Sequence, residues 1–166
     1  MYVPSNGPVT DTAHAVPHRA RFTFGVMICA TGTDSSTQAR VVAVTPLDGS
    51  PQVRVPQFAT RDNLLVDHPS GGAIGDTDGT ARSLGLNTSG PQYVDPCRQG
   101  RKDILAPTEL AITVRRVGTG TGTDDGFVIT YKNDQGQAGQ AWVPWIYNLC
   151  APHDTTTSFC PLPPSS

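Results

Sequence analysis

Glu109-Leu110-Ala111-Ile112-Thr113-Val114-Arg115-Arg116-Val117 carries the clearest β-signal in the chain. Leu110, Ile112 and Val114 alternate with Ala111, Thr113 and Arg115 at period two, the pattern of a strand that turns one face to a core. Working outward, Gly118 to Gly126 (GTGTGTDDG) reads as a mobile loop. Phe127-Val128-Ile129-Thr130-Tyr131-Lys132 follows as a second strand, with Phe127, Ile129 and Tyr131 on one side. Asn133-Asp134-Gln135-Gly136 supplies a tight hairpin, and the chain returns through Ala141-Trp142-Val143-Pro144-Trp145-Ile146-Tyr147 to Leu149 and Cys150. The three strands are expected to form a β-meander. Pro144 cannot donate to a ladder, so it marks the last strand as an edge or a bulge.

The N-terminal half reads less sharply. In Arg21 to Cys29 (RFTFGVMIC), Phe22, Phe24, Val26 and Ile28 share a face, which places this strand in the core. Ala39 to Thr45 (ARVVAVT) is apolar on both parities and reads as a central strand that ends in the turn residues Pro46-Leu47-Asp48-Gly49. Val53-Arg54-Val55, bounded by Pro51 and Pro56, is expected to return antiparallel to it as an edge strand. Asp62 to Gly90 shows no sustained period and is expected as a long connection, a natural place for a binding surface. Two prolines keep Pro91 to Cys97 extended.

These segments amount to an all-β protein: an antiparallel two-sheet sandwich, immunoglobulin- or fibronectin-like. A small β-barrel is the alternative, because one-face alternation fits both. Residues 1–18, rich in Pro, Ser, Thr and Asn, are expected as an extended lead-in or tether, and residues 19–166 as one disulfide-stabilised domain.

Composition narrows the function classes. The formal charge of −2 lacks the basic excess of a nucleic-acid binder, so no nucleic-acid partner is expected. No apolar run is long enough for a transmembrane helix. Lys102 and Lys132 are the only lysines and Glu109 the only glutamate, so the vocabulary of exposed helices is missing.

The four cysteines, Cys29, Cys97, Cys150 and Cys160, include no Cys-x-x-Cys pair and favour disulfides, hence an oxidising compartment. Four cysteines allow three pairings, and spacing alone does not select one. Cys29–Cys97 with Cys150–Cys160 is favoured, because the second pair orders a tail that has little else to hold it. The chain-entropy model gives about 3 kcal/mol for that short loop and about 4 kcal/mol for the longer one.

No chemical motif survives inspection. Cys150-Ala151-Pro152-His153 is similar to the Cys-x-Pro-His of plastocyanin-like copper proteins, but no methionine follows it, and His68 is the sole second imidazole outside the lead-in. His14 and His18 are four apart, yet Pro17 removes the helix that would pair them. Asp76-Thr77-Asp78-Gly79 begins like a calcium loop and lacks the later ligands. Ser89 has no nucleophile-elbow context, and no carboxylate pair suits glycoside hydrolysis. Asn87-Thr88-Ser89 is a glycosylation sequon. No metal, cofactor or catalytic residue is therefore expected.

Phe24 to Cys29, Asp95-Pro96-Cys97, Glu109 to Arg116 and the late Cys150 together resemble uncharacterised actinobacterial secreted and lipoprotein β-rich ectodomains. The resemblance implies export and an extracellular or cell-envelope location and brings no catalytic residues; the lead-in is expected to tether the domain to an anchor in a removed N-terminal segment. The expected function is a non-enzymatic protein-binding or structural domain, as a subunit of a secreted assembly. Carbohydrate or cell-wall-polymer binding is the alternative, with an unrecognised secreted hydrolase third. The binding candidates are Trp142, Trp145 and Tyr147. The two tryptophans lie on opposite parities, so a regular strand turns one of them outward unless Pro144 sits in a bulge.

Overall fold

A computed structural model describes residues 1–3, 9–13, 16–17, 20–31, 38–47, 51–62, 74, 77–99, 104–152, 154 and 160. Among them there is no helix, and the strands assemble into sheets that do not close into a barrel. Sheet I has the order β4-β9-β2-β5, built from β2 (Arg21–Ile28), β4 (Val53–Asp62), β5 (Thr77–Asp78) and β9 (Thr108–Arg116). Sheet II has the order β12-β11-β3-β6, from β3 (Ala39–Pro46), β6 (Gln92–Val94), β11 (Phe127–Asn133) and β12 (Ala138–Val143). Every ladder in these two sheets is antiparallel. A third sheet sets β13 (Trp145–Leu149) between β1 (Val9–Ala13), which runs parallel to it, and β10 (Gly122–Asp124). A two-stranded ladder joins β7 (Arg98–Gln99) to β8 (Ile104–Leu105).

The expected sandwich is what forms. Its core lies between sheet I, which gives Phe24, Val26, Ile28, Leu110, Ile112 and Val114, and the facing strands, which give Val41, Val44, Phe127, Ile129, Val143, Tyr147 and Leu149. Phe24 is the hub: its ring centroid lies 5.4 Å from Phe127, 4.9 Å from Trp145 and 5.3 Å from Tyr147. Such pairs add to area burial through their edge and face charge complementarity.

Four expectations about connectivity change. First, β9 does not continue into a meander with β11. It is the second strand of sheet I, and the chain crosses to sheet II after Arg116 by way of β10, inside the stretch expected as a loop. Alternation records which face of a strand is apolar and carries no information on which sheet that face belongs to. Second, Val53 to Val55 begins the edge strand β4, which pairs with β9 rather than with β3. β4 runs on through Pro56 because a bulge sets Val55 and Pro56 against Val114 alone, where no ladder N–H is required. Third, Pro144 is the point at which the chain leaves sheet II and enters the third sheet, so β12 is an edge and β13 is central. Fourth, the segment 1–18 contributes β1, a Tyr2–Cys29 bridge and a fully buried Val16. Polar composition hid this, because main-chain ladders do not depend on side-chain hydropathy.

The two-sided apolar pattern of β3 also has a local cause. Between Thr130 and Tyr131 the register shifts and Val42 is left unmatched, so Val41 and Val44 both point inward while Val42 is exposed. The bulge resets the alternation.

Both disulfides form with the favoured pairing. Cys29–Cys97 joins the end of β2 to the residue after Pro96, with a Cα separation of 4.8 Å, and so ties sheet I to the β6 side of sheet II. Cys150–Cys160 closes the tail at a Cα separation of 5.7 Å. Arg116 clamps the same end of the sandwich: it is buried, and it donates to the carbonyls of Val16 (3.1 and 2.9 Å), Gly118 (3.0 Å) and Gly120 (2.9 Å).

Phe24→Ala is expected to destabilise the fold by about 3–5 kcal/mol in urea unfolding, since it removes the ring that meets three others. The double variant C29A/C97A is expected to lose about 4 kcal/mol and C150A/C160A about 3 kcal/mol, compared by denaturant midpoint under oxidising conditions.

Candidate functional site

The outer faces of the two main sheets differ. On sheet I, every residue of β9 except Arg115 is buried, so the strand is covered on both sides. The outer cover comes from Ile74 and the turn 80–86, which pack Ala81, Ile74 and Leu86 on Ala59 and Ala111 in a second small core. Polar ties fix it: Ala81 N donates to Thr113 Oγ1 (2.9 Å), and Thr23 Oγ1 lies 2.9 Å from the same atom.

Glu109 lies under this cover and is completely buried. Its carboxylate accepts from Arg61 Nε and Nη2, each at 2.6 Å, and from Ile74 N at 2.6 Å. Gly25 N donates to Ile74 O (3.1 Å), and a Cβ at Gly25 would overlap the Glu109 carboxylate and lie 2.9 Å from Ile74 O. Gly25 is the residue that lets the carboxylate and the covering chain approach the sheet so closely. With both oxygens engaged and the surroundings sealed, the arrangement is a structural tie. The signal for it in the sequence is a lone glutamate that shares its parity in β9 with Ala111 and Thr113.

Sheet II has no such cover among the described residues. Three cross-strand rows face outward from it. Trp142, Val128 and Thr45 form one; Gln140, Thr130 and Ala43 the next; Ala138, Lys132, Arg40 and Tyr93 the third. At about 3.4 Å per residue, the outer two rows lie about 13 Å apart. Trp142 (55% exposed), Tyr93 (53%) and Val42 (37%) are among the few large hydrophobic side chains left in solvent. Arg40 and Lys132 are opposed in register, so two positive charges sit side by side, and neither forms a salt bridge among the described residues.

One groove lies at the seam between the edges of the two sheets and a second on the face of sheet II. The first, of about 670 Å³, runs between Arg40 and Val42 on β3 and Val55 to Phe58 on β4, with Arg82 at its side. The other, about 260 Å³, lies between Tyr93, Arg40, Lys132 and Asp134. Gln92 holds the edge strands together beneath the first groove: its Oε1 accepts from Thr60 N (2.6 Å), and its Nε2 donates to the carbonyls of Asn87 and Gly90 (3.0 Å each).

The three aromatic candidates part company here. Trp142 projects outward from the edge strand, and its indole passes close to Gly126, whose φ of 154° no side-chain-bearing residue readily adopts. A Cβ there would lie 2.6 Å from Trp142 Nε1. Trp145 packs half-buried against the core, and Tyr147 is fully buried against Phe24. Neither of these two is a surface residue, because the sheet switch at Pro144 separates them from Trp142. Tyr93, Arg40, Lys132 and Val42 belong to the face and were not singled out from the sequence, since their proximity depends on the β6-β3-β11 pairing.

Of the other sequence candidates, Cys150 has its sulfur in a disulfide and offers no thiolate to copper. His14, His18, His68, His153 and Asp76 lie outside the described residues, as does most of the connection from residue 63 to 76. Asn87 and Ser89 lie on the surface, where Ser89 N donates to Asn87 Oδ1 (3.0 Å) in a turn. No helix among the described residues is long and apolar enough to cross a membrane. No protein-family model, curated protein or solved structure matches the chain.

Gly25→Ala is expected to lower the denaturant midpoint by the equivalent of about 2–3 kcal/mol, because the added methyl displaces a buried carboxylate and its partners. Amide exchange should locate the loss at residues 74–86 rather than across sheet II.

Proposed function

We propose that this chain is a non-enzymatic extracellular or cell-envelope binding domain that docks a protein partner on the open face of sheet II. One observation carries the reading: sheet I is covered on its outer side, while sheet II leaves Trp142, Tyr93 and Val42 in solvent around the unpaired charges of Arg40 and Lys132. A face of exposed aromatics with arginine among polar neighbours has the composition of interface anchors. Arg40 and Lys132 favour a partner with acidic side chains opposite them. The two disulfides support an oxidising compartment and hence export.

Polymer binding through the same tryptophan is the competing use of this face, with the indole stacked on a sugar ring. Both are tested by offering the intact protein to native envelope extracts and to a polysaccharide array, alongside Trp142→Ala and Tyr93→Ala. Wild-type protein is expected to retain one stoichiometric protein partner, with affinity reduced about 30-fold in Trp142→Ala, the size of an interface anchor. Melting temperatures should stay close to wild type, because both side chains are exposed. Retention on the array that Trp142→Ala alone abolishes would replace the protein reading with the glycan one. Undiminished binding by both variants would rule out this face.

A further inference from the structure

Arg21, Arg115 and Arg54 occupy directly opposed ladder positions on β2, β9 and β4. Directly paired residues of neighbouring strands share a face, and strands lie about 4.8 Å apart, so three arginine stems leave the outer side of sheet I in one row about 10 Å long. Like charges directly opposite one another are destabilising. The neighbouring row is Thr23, Thr113 and Gln57, on which the cover of sheet I rests through Ala81. The arginine row therefore stands where that cover ends. Arg21 also lines a groove of about 670 Å³ with Gly79, Thr80 and Ser83; Asp78 lines it too and forms no salt bridge with Arg21.

The hydrogen-bonding of Arg115 is unlike that of Arg116 next door in sequence, whose donors are taken by three backbone carbonyls. Arg115 Nε is buried and has no hydrogen-bond partner among the described residues, and neither does the buried Oε1 of Gln57 in the adjacent row. Arg54 donates Nη1 to Val53 O (3.0 Å). The salt bridge found among the described residues is Arg61–Glu109, three rows away on the same face. A buried donor without an acceptor, in a row of opposed cations, costs stability that the fold does not recover.

We propose that the Arg21–Arg115–Arg54 row binds a compact phosphate-type oxyanion, with Arg115 and Arg21 as the principal donors and Gln57 beside them to meet a hydroxyl. The planar guanidinium fork matches the oxygens of a phosphate in bidentate fashion. Phosphate carries more than one negative charge near neutral pH, which matches the directly opposed guanidinium groups of Arg21 and Arg115. An extended polyanion is disfavoured, because the chain as a whole is formally −2 and offers it no long-range attraction. The group reaches the site either as free phosphate or as a phosphomonoester on a larger molecule. The site is on the opposite side of the sandwich from Trp142 and stands independently of the docking face.

The test is a titration of the intact, isotope-labelled chain with inorganic phosphate at constant ionic strength, following the arginine Nε–H signals by NMR. The Arg115 Nε–H signal is expected to shift and saturate, and Arg115→Gln and the solvent-exposed Arg21→Gln are each expected to weaken binding about tenfold or more. In phosphate-free buffer both variants should be at least as stable as the parent, because each relieves like-charge opposition. A purely structural arginine would give the reverse. No saturation by about 20 mM phosphate, a millimolar-or-weaker range, would overturn the proposal, as would equal shifts with chloride or unchanged affinity in both variants. Repeating the titration with a sugar phosphomonoester separates the sources: tighter binding than phosphate identifies a phosphate carried on a larger molecule, and weaker binding identifies the free ion.

Discussion

Phe24 is the residue on which the two walls of this sandwich close. It projects from β2 into a ring of Phe127, Trp145 and Tyr147, which come from two different strands of the facing layer. The consequence is geometric as well as energetic. β11 opens the hairpin with β12, and β13 begins only after the chain has changed sheets at Pro144, so a single side chain contacts both sheet II and the third sheet. Tyr147 and Trp145 are consumed by this packing, and Trp142, on the far side of Pro144, is thereby the one left to solvent.

A second constraint decides which surface is available for function. β9 is buried on both faces because Ile74 and the turn 80–86 lie across sheet I. That cover is pinned by polar groups as much as by its small apolar core. Glu109 holds Arg61 and the Ile74 amide, and Thr113 holds Ala81 and Thr23. A carboxylate so enclosed is tolerable only because every neighbour donates to it, and Gly25 supplies the space. With sheet I sealed over most of its outer side, the face of sheet II and the arginine row at the margin of the cover are the outer sheet surfaces left uncovered among the described residues.

The two arginines adjacent in sequence, Arg115 and Arg116, show how strand parity converts one residue type into two roles. Arg116 points between the sheets at the end of the sandwich and spends its donors on carbonyls of Val16, Gly118 and Gly120. Arg115 points the other way, between two further arginines, with Nε unpartnered among the described residues. The first stabilises the connection between sheets, and the second is a reserve of positive charge at a surface.

Features that rest on local pattern were legible before any strand was paired. Period-two alternation placed β2, β9 and β11, turn residues placed the hairpin at Asn133 to Gly136, prolines marked the edge at Pro56 and the break at Pro144, and an even cysteine set with a short tail pointed to the pairing that forms. Only the tertiary structure decided what depends on pairing between distant segments. The sheet to which β9 belongs, the incorporation of residues 9–13 beside β13, the bulge that turns Val42 outward, and the assembly of Tyr93, Arg40, Lys132 and Trp142 on one face all follow from long-range registers. The physical reason is that a strand's own residues fix which of its faces is apolar, whereas its partner is chosen by the combined burial and ladder energies of the whole chain. A site made of side chains from four strands is therefore legible only after those strands have been paired.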